Sequence, residues 1–468
     1  MAQIIKYYST NHNSEFVNFR EALLQGQAPD KGLYLPDRIP KISLKTIVSM
    51  KTLSYPEIAF IVTNEFLRDE IPEDDLKKIT KEAYDFDIPL ENVIGKIYIM
   101  RLDQGPTASF KDFAARMMTR LIEYFIKKEN KNLLISERSE ESRFCERSEQ
   151  VLILVATSGD TGSAVANAFY NLKNIKVVVL FPGKEVSERQ RKQMTTLGKN
   201  ITVLAVNGKF DDCQAMVKQA FADPELSYLN LSSANSINFG RLLPQIVYYF
   251  YAYSKLAKKG EEVIFSVPSG NFGNLMGGLI AKKMGLPVYK FIAAVNENDE
   301  FPKFLETKNY IPIKPSKVCP SSAMNVGHPS NLARLINLYG GQMDEKGKIN
   351  KMPDVDLIKK DIFSVSISND ETIKTIKKVY DRYKVVLEPH GAVGWTALES
   401  FLLKEGKSFL SVCLETAHPA KFPEEIEEII GLKIKSPKSL SGIENKKEDF
   451  KTIPADYQEF KTFLENKF

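Results

Sequence analysis

The 468-residue chain has few cysteines: four, Cys145, Cys213, Cys319 and Cys413, far apart and without a C-x-x-C pair. That spacing argues against a disulfide framework or a structural zinc site, and makes a reducing compartment the default. Histidine is equally sparse, and His12, His328, His390 and His418 form no metal cluster. No apolar run approaches the roughly 20 residues needed to cross a bilayer. The opening Met-Ala-Gln-Ile-Ile-Lys-Tyr-Tyr-Ser-Thr lacks the basic-then-apolar form of a secretory signal. No membrane association is expected, and the location expected is cytoplasmic. Charge of one sign is also missing. Lys+Arg 64 against Asp+Glu 59 leaves +5, spread along the chain, so nucleic acid is not implied as a partner.

What is present is an ordinary globular composition, 43% hydrophobic and 26% charged. Length alone suggests about two to four domains. Residues 1–95 read as a compact N-terminal segment, with a helical face at Phe16, Phe19, Ala22 and Leu23, an extended piece at Gly32–Pro36 and a helix over Tyr55–Leu67. Residues 96–232 read as a first α/β domain, 233–435 as a second, and 436–468 as a lysine-rich peripheral tail. Strand-like runs at Val151–Thr157, Lys176–Phe181 and Ile201–Val206 alternate with helical patterns at Ser187–Leu197 and Asp211–Phe221. A second series follows: a long helix over Phe239–Lys255, strands at Val263–Pro268, Lys290–Val295 and Ser408–Leu414, and a helix over Asp370–Tyr383. Such alternation predicts parallel sheets with helices on their faces, and ligands beyond the carboxyl ends of the strands. Residues 136–150 repeat Glu-Arg-Ser-Glu, are nearly free of apolar anchors and read as a solvated insertion.

The chemistry gathers in loops. Gly105–Phe113 is a Gly-Pro-Thr turn leading into a helical pattern, with Lys111 in the first helical turn. A cation is disfavoured at that end of the macrodipole. A desolvated lysine there gives up its proton readily, and the neutral amine is the form that condenses with carbonyls. The glycines of Gly270-Asn271-Phe272-Gly273-Asn274 let backbone N–H groups close on an anion at a helix start. This loop is neither a G-K-[ST] phosphate loop nor the G-x-G-x-x-G fingerprint. Ser158-Gly159-Asp160-Thr161-Gly162 offers hydroxyls and N–H groups to a carboxylate or phosphate. Ser233-Ala234-Asn235-Ser236 with Arg241 offers hydroxyl, amide and guanidinium groups to another anion. Taken singly, each loop also has a plain reading as a helix cap or tight connection. Together they suggest a cofactor bearing one phosphate and a substrate bearing a second anionic group. His418 reads as a turn former before Pro419, and His390 as a packed side chain.

Gly105–Asp112, Thr157–Gly162, Ser232–Ser236 with Arg241, Ser269–Asn274 and Thr416–Phe422 resemble the threonine synthases, in the longer kind with an extra N-terminal domain. The resemblance spans nearly the whole chain. Ser-Phe-Lys-Asp and Ser-Gly-Asp-Thr-Gly point to the fold type, whereas Ala-Asn-Ser-Ile-Asn and Thr-Ala-His-Pro-Ala-Lys-Phe are specific to this family. The Glu-Arg-Ser-Glu repeat is a departure from it. The resemblance implies an α/β fold of two open, twisted, mostly parallel sheets with helices on both faces (the fold type II of pyridoxal-phosphate enzymes), plus a small N-terminal α/β domain. It implies pyridoxal 5'-phosphate bound covalently to Lys111. Gly270, Asn271, Phe272, Gly273 and Asn274 would hold the cofactor phosphate, and Thr416 would face the pyridine nitrogen. Ser158, Gly159, Asp160 and Thr161 would contact the substrate carboxylate and the ring oxygen of the cofactor. Asn235, Ser236 and Arg241, with Thr161, would hold the substrate phosphate. The reaction implied is O-phospho-L-homoserine and water to L-threonine and phosphate. Other readings are a serine/threonine dehydratase or cysteine synthase of the same fold type, and a non-catalytic phosphate-ester-binding homologue. Whether the chain is a monomer or a homo-oligomer stays open.

Overall fold

The computed structural model describes residues 4–136 and 150–468. The Glu-Arg-Ser-Glu insertion expected over 136–150 falls almost wholly outside the described residues. Two parallel-rich sheets organise the rest. The larger has six strands in the order Ile362–Ser366, Val288–Val295, Val263–Pro268, Leu410–Glu415, Ile97–Arg101 and Leu90–Ile94. Its neighbours run parallel except the last pair, an antiparallel edge. The smaller sheet is wholly parallel, ordered Lys451–Pro454, Ile201–Asn207, Ile175–Pro182, Val151–Ala156 and Asn230–Ser233.

The apolar runs have a direct cause. Alternate residues of a strand point to opposite faces, and here both faces are covered. In the strand Val151–Ala156, Ile153 and Val155 enter the main core, whereas Leu152 and Leu154 enter a second one beneath the helix Phe210–Ala222. The six-stranded sheet repeats the pattern, with Phe265 and Val267 in the main core and Ile264 in a third. One face of each sheet therefore contributes to the same central core, which brings the loops at their carboxyl ends within reach of one another.

The sheets cross all three divisions drawn from sequence: the six-stranded one joins residues from either side of both 95 and 232, and the five-stranded one takes in part of the tail after 435. Ile97–Arg101 lies between Leu90–Ile94 and the late strand Leu410–Glu415, so residues on both sides of position 95 share one sheet. The tail after 435 is not merely peripheral: Lys451–Pro454 adds a parallel strand to the smaller sheet, and Tyr457–Lys467 buries Phe460 and Leu464 with the helix Phe210–Ala222. The helix expected over Phe239–Lys255 is interrupted by a tighter turn at Leu243–Ile246. Pro244 sits in that turn, where it has no N–H to continue an α-helical ladder. The N-terminal segment forms the small antiparallel pair Tyr7–Ser9 with Tyr34–Pro36, and its helices add Phe19, Ile58 and Val62 to the central core.

Candidate active site

Lys111 is the first residue of the helix Lys111–Ser136. The turn before it is fastened at both ends. The Asp112 carboxylate accepts from the Thr107 N–H at 2.9 Å and the Thr107 hydroxyl at 2.6 Å. Gly105 has to be glycine, because a Cβ there would stand 2.4 Å from that carboxylate. The loop leaving the strand Leu410–Glu415 then pairs with the Lys111 loop: the Phe110 N–H donates to the Thr416 carbonyl at 2.9 Å, and the His418 N–H to the Ala108 carbonyl at 3.0 Å. This short antiparallel contact sets Thr416 beside the lysine.

Lys111 keeps partial exposure along its side chain. Burial of its amine pulls the pKa down to about 8, with Arg241 and Lys421 adding to the fall and Asp160 and Glu388 opposing it. Asp160 starts the helix Asp160–Phe169 from the smaller sheet. Burial alone would raise its pKa, but Lys421 and Lys111 hold it well below the usual carboxylate range. Its Oδ1 accepts from the Lys421 ammonium at 2.6 Å and the Gln190 amide at 2.9 Å. The loop before it curls around one hydroxyl, as Thr157 Oγ1 accepts from the N–H groups of Gly159 and Gly162 at 2.9 and 2.8 Å. Gly159 has φ 128°, a region that favours glycine, and a Cβ would overlap Gln190.

Arg241 is 4% exposed. One terminal nitrogen donates to the Ala234 carbonyl, whereas Nε has no acceptor among the described residues. Burial draws its pKa down to about 10 against the opposing pull of Asp112. A buried, incompletely partnered guanidinium is a ready receptor for an anion. Ser236, two residues beyond Ala234, reaches the Gly270–Asn274 loop through Ser330: its hydroxyl is 3.1 Å from the Ser330 hydroxyl, which donates to Asn271 Oδ1 at 3.0 Å. Asn331 makes a second link, with its amide donating to the carbonyls of both Ser236 and Asn271. Asn235 is engaged differently. Its amide pairs with both the N–H and the carbonyl of Ala156 and so fixes the end of a strand.

In the Gly270–Asn274 loop, Phe272 adopts φ 60° and caps the helix Gly273–Lys283. The Asn274 side chain donates to the Pro268 carbonyl at 2.7 Å. Backbone N–H groups from Gly270 to Asn274 donate to no acceptor among the described residues. Consecutive free donors at a helix start suit a phosphate. Gly273 abuts Gln245, and Gln245 donates to the Arg241 carbonyl, so this loop and the Lys111 surroundings share one neighbourhood. The set fits a small aldehyde bearing one phosphate: an amine of lowered basicity, a row of free N–H donors, and the Thr416 hydroxyl, which donates to Glu388 Oε1 at 3.2 Å.

Several of these residues escaped sequence reasoning. Ser330 and Asn331 lie in a stretch of weak periodicity. Glu388 carries no local motif, yet it caps the helix Pro389–Glu405 and also binds His390 Nδ1. His390 Nε2 in turn accepts from the Ala323 N–H, so this histidine is a packed, bonded side chain. His418 accepts from the Ala420 N–H in its own turn. Lys421 was visible only as part of the Thr416–Phe422 run.

Comparison with known proteins gives a consistent result over the whole length. The family model described as "Threonine synthase N terminus" matches residues 6–84, "Pyridoxal-phosphate dependent enzyme" matches 88–413, and "Threonine synthase, C-terminal" matches 391–464. The threonine synthase of Haemophilus influenzae is 40% identical over 92% of this chain and 93% of its own. Crystal structures of a PLP-bound threonine synthase from Brucella melitensis and of threonine synthase from Escherichia coli superpose with TM-scores of 0.86 and 0.85, at 32% and 37% identity. The first covers 99% of both chains, the second 98% of this chain and 99% of its own.

Proposed function

Because the chain belongs to the threonine synthase family of pyridoxal-phosphate-dependent enzymes, we propose that it converts O-phospho-L-homoserine and water into L-threonine and phosphate. The observation that carries the choice of substrate is Arg241, a buried guanidinium with a free Nε beside the lysine that would bear the cofactor. A substrate phosphate satisfies it. Unphosphorylated homoserine would leave it buried and unpaired, which is costly.

Lys111 would hold the cofactor through its amine. When not so engaged, that amine would serve as the general base, taking the α-proton and next a β-proton. A pKa near 8 suits it to both accept and return protons near neutrality. When bound, the cofactor supplies an electron sink for the negative charge left on the substrate. Phosphate departs from the γ-carbon and water adds at the β-carbon. The free N–H groups of Gly270, Asn271, Phe272, Gly273 and Asn274 hold the cofactor phosphate. Thr416 meets the ring nitrogen with a neutral hydroxyl rather than a charged partner. Ser158, Gly159, Asp160 and Thr161 would contact the substrate carboxylate and the ring oxygen of the cofactor through backbone and hydroxyl groups, since the Asp160 carboxylate is taken by Lys421 and Gln190. Ser236 and Arg241, with Thr161, hold the substrate phosphate, and Asn235 supports them by fixing the neighbouring strand end.

The test is a product assay on the purified chain loaded with cofactor. Stoichiometric threonine and phosphate from phosphohomoserine are expected. Keto acid and ammonia from serine at equal or greater kcat/KM would make the chain a dehydratase and overturn the proposal.

A further inference from the structure

Lys421 has no part in the reaction as set out above, yet it is the most enclosed cation near the reacting amine. It is 0% exposed and Asp160 is 2% exposed. Lys421 comes from the loop beyond the six-stranded sheet, Asp160 from the start of the helix that follows an interior strand of the five-stranded one. The ammonium donates to Asp160 Oδ1 at 2.6 Å and to the Thr107 carbonyl at 3.0 Å. Thr107 belongs to the turn that presents Lys111, and its carbonyl also accepts from Gln193 at 3.0 Å. One buried side chain thus ties the Asp160 loop, the Lys111 turn and the Thr416 loop together.

The charged groups acting on Lys111 are Asp160, Arg241, Lys421 and Glu388. Asp160 and Glu388 are the carboxylates that draw the Lys111 amine towards its charged form, Asp160 the more strongly. A buried carboxylate requires a cation close by. If Lys421 did not satisfy Asp160, Lys111 would, and an amine locked in an ion pair is protonated and poorly nucleophilic.

We propose that Lys421 is a positioning residue that occupies Asp160 as its counter-ion and so leaves the Lys111 amine free to react. The inference rests on Lys111 being the cofactor-bearing lysine, as proposed above. Lys421 acts through Asp160 and touches neither substrate nor cofactor.

A double-mutant cycle on the full-length chain stripped of cofactor tests it. The probe is acetic anhydride, with acetylation of Lys111 followed by peptide mass spectrometry as a function of pH. In the parent, the midpoint should lie near 8. K421M should raise it by about one pH unit or more, reducing free amine at pH 7 about tenfold. K421R should restore the parental value. In a D160N background, adding K421M should move the midpoint much less, leaving only the direct repulsion between the two ammonium groups, since there is no carboxylate left to release. If K421M shifts the midpoint equally with and without Asp160, Lys421 acts by its own charge and the proposal fails. If K421M shifts nothing, it fails also. Should K421M not fold, K421Q serves, since its amide can still donate to Thr107 while carrying no charge. A separate control isolates the premise: borohydride reduction of the parent with pyridoxal phosphate should label Lys111. Label on another lysine would refute the premise without bearing on the Lys421–Asp160 pair.

Discussion

Replacing Arg241 with methionine should leave the ligand-free chain at least as stable as the parent while abolishing its response to phosphate. Most buried arginines behave the other way, because removing one breaks an ion pair. Arg241 has one bond, to the Ala234 carbonyl, a free Nε, and Asp112 as the carboxylate acting on it. Burial lowers its pKa to about 10, which corresponds to about 3 kcal/mol of disfavoured charge at neutral pH. Against this, the variant strands the Ala234 carbonyl, at a cost of about 1–3 kcal/mol. Methionine is flexible enough to fill the volume of the aliphatic stem. The net effect should therefore lie between zero and about 2 kcal/mol in favour of the variant. Thermal unfolding with and without inorganic phosphate measures both parts. With pyridoxal phosphate bound, so that the Gly270–Asn274 donors are taken, a hundredfold excess of phosphate over Kd should stabilise the parent by about 2.7 kcal/mol and the variant not at all. With cofactor loaded, kcat/KM for phosphohomoserine should fall about 100-fold or more, as expected for losing one or two charge-assisted hydrogen bonds. A variant destabilised by several kcal/mol, or one still stabilised by phosphate, would show that Arg241 is a structural residue.

The depressed pKa of Lys111 gives a pH signature. Its charged form is disfavoured in the fold, so the penalty is full below pH 8 and fades as pH rises from about 8 towards the unfolded value of 10.5. Ligand-free K111M should therefore be more stable than the parent at pH 7, by at most about 3 kcal/mol, with the gap closing near pH 10.5; a gap independent of pH refutes the shift. T416V should fold with a loss of about 1 kcal/mol, weaken cofactor binding and shift the visible band of the bound cofactor, while T416S should retain the parental spectrum. G391A should fail to accumulate as soluble protein, because its Cβ would stand 1.7 Å from the buried Glu415 Oε2. G406A, at φ 63° with open space around it, should cost only about 1 kcal/mol by the same thermal assay.

How far the sequence could be read depended on whether a feature was local. Val151–Ala156 and Val263–Pro268 announce themselves because both faces of each strand are buried, which leaves no polar residue in the first run and only Ser266 in the second. Ile362–Ser366 escaped notice because it is an edge strand: only Ile362 is fully buried, and Ser364 and Ser366 sit among the apolar residues. Pro389–Glu405 hid for a different reason. It opens with Pro389, Gly391 and Gly394, poor helix formers that close packing requires, since a Cβ at 391 would strike Glu415 and one at 394 would press on Pro268 and Cys413. Loop chemistry followed the same rule. The Gly270–Asn274 donors are contiguous and could be inferred from their own spacing. The Ser236–Ser330–Asn271 bridge and the Lys421–Asp160 pair join residues far apart in the chain, and no local pattern marks either.

That difference bears on how the site works. Residues that would touch the cofactor or the substrate sit in short motifs, because one loop can present several of them at once. Residues that would set the electrostatics of Lys111 come from separate elements, because a field at one buried amine has to be assembled from several directions. Arg241, Asp160, Lys421 and Glu388 each reach the lysine from a different loop or helix start. A change at Lys421 or Glu388 should alter the basicity of Lys111 without replacing a residue proposed to touch the cofactor or the substrate. Motif matching alone therefore recovers the contacts of such a site but not the basicity of its lysine, which is a property of the folded chain.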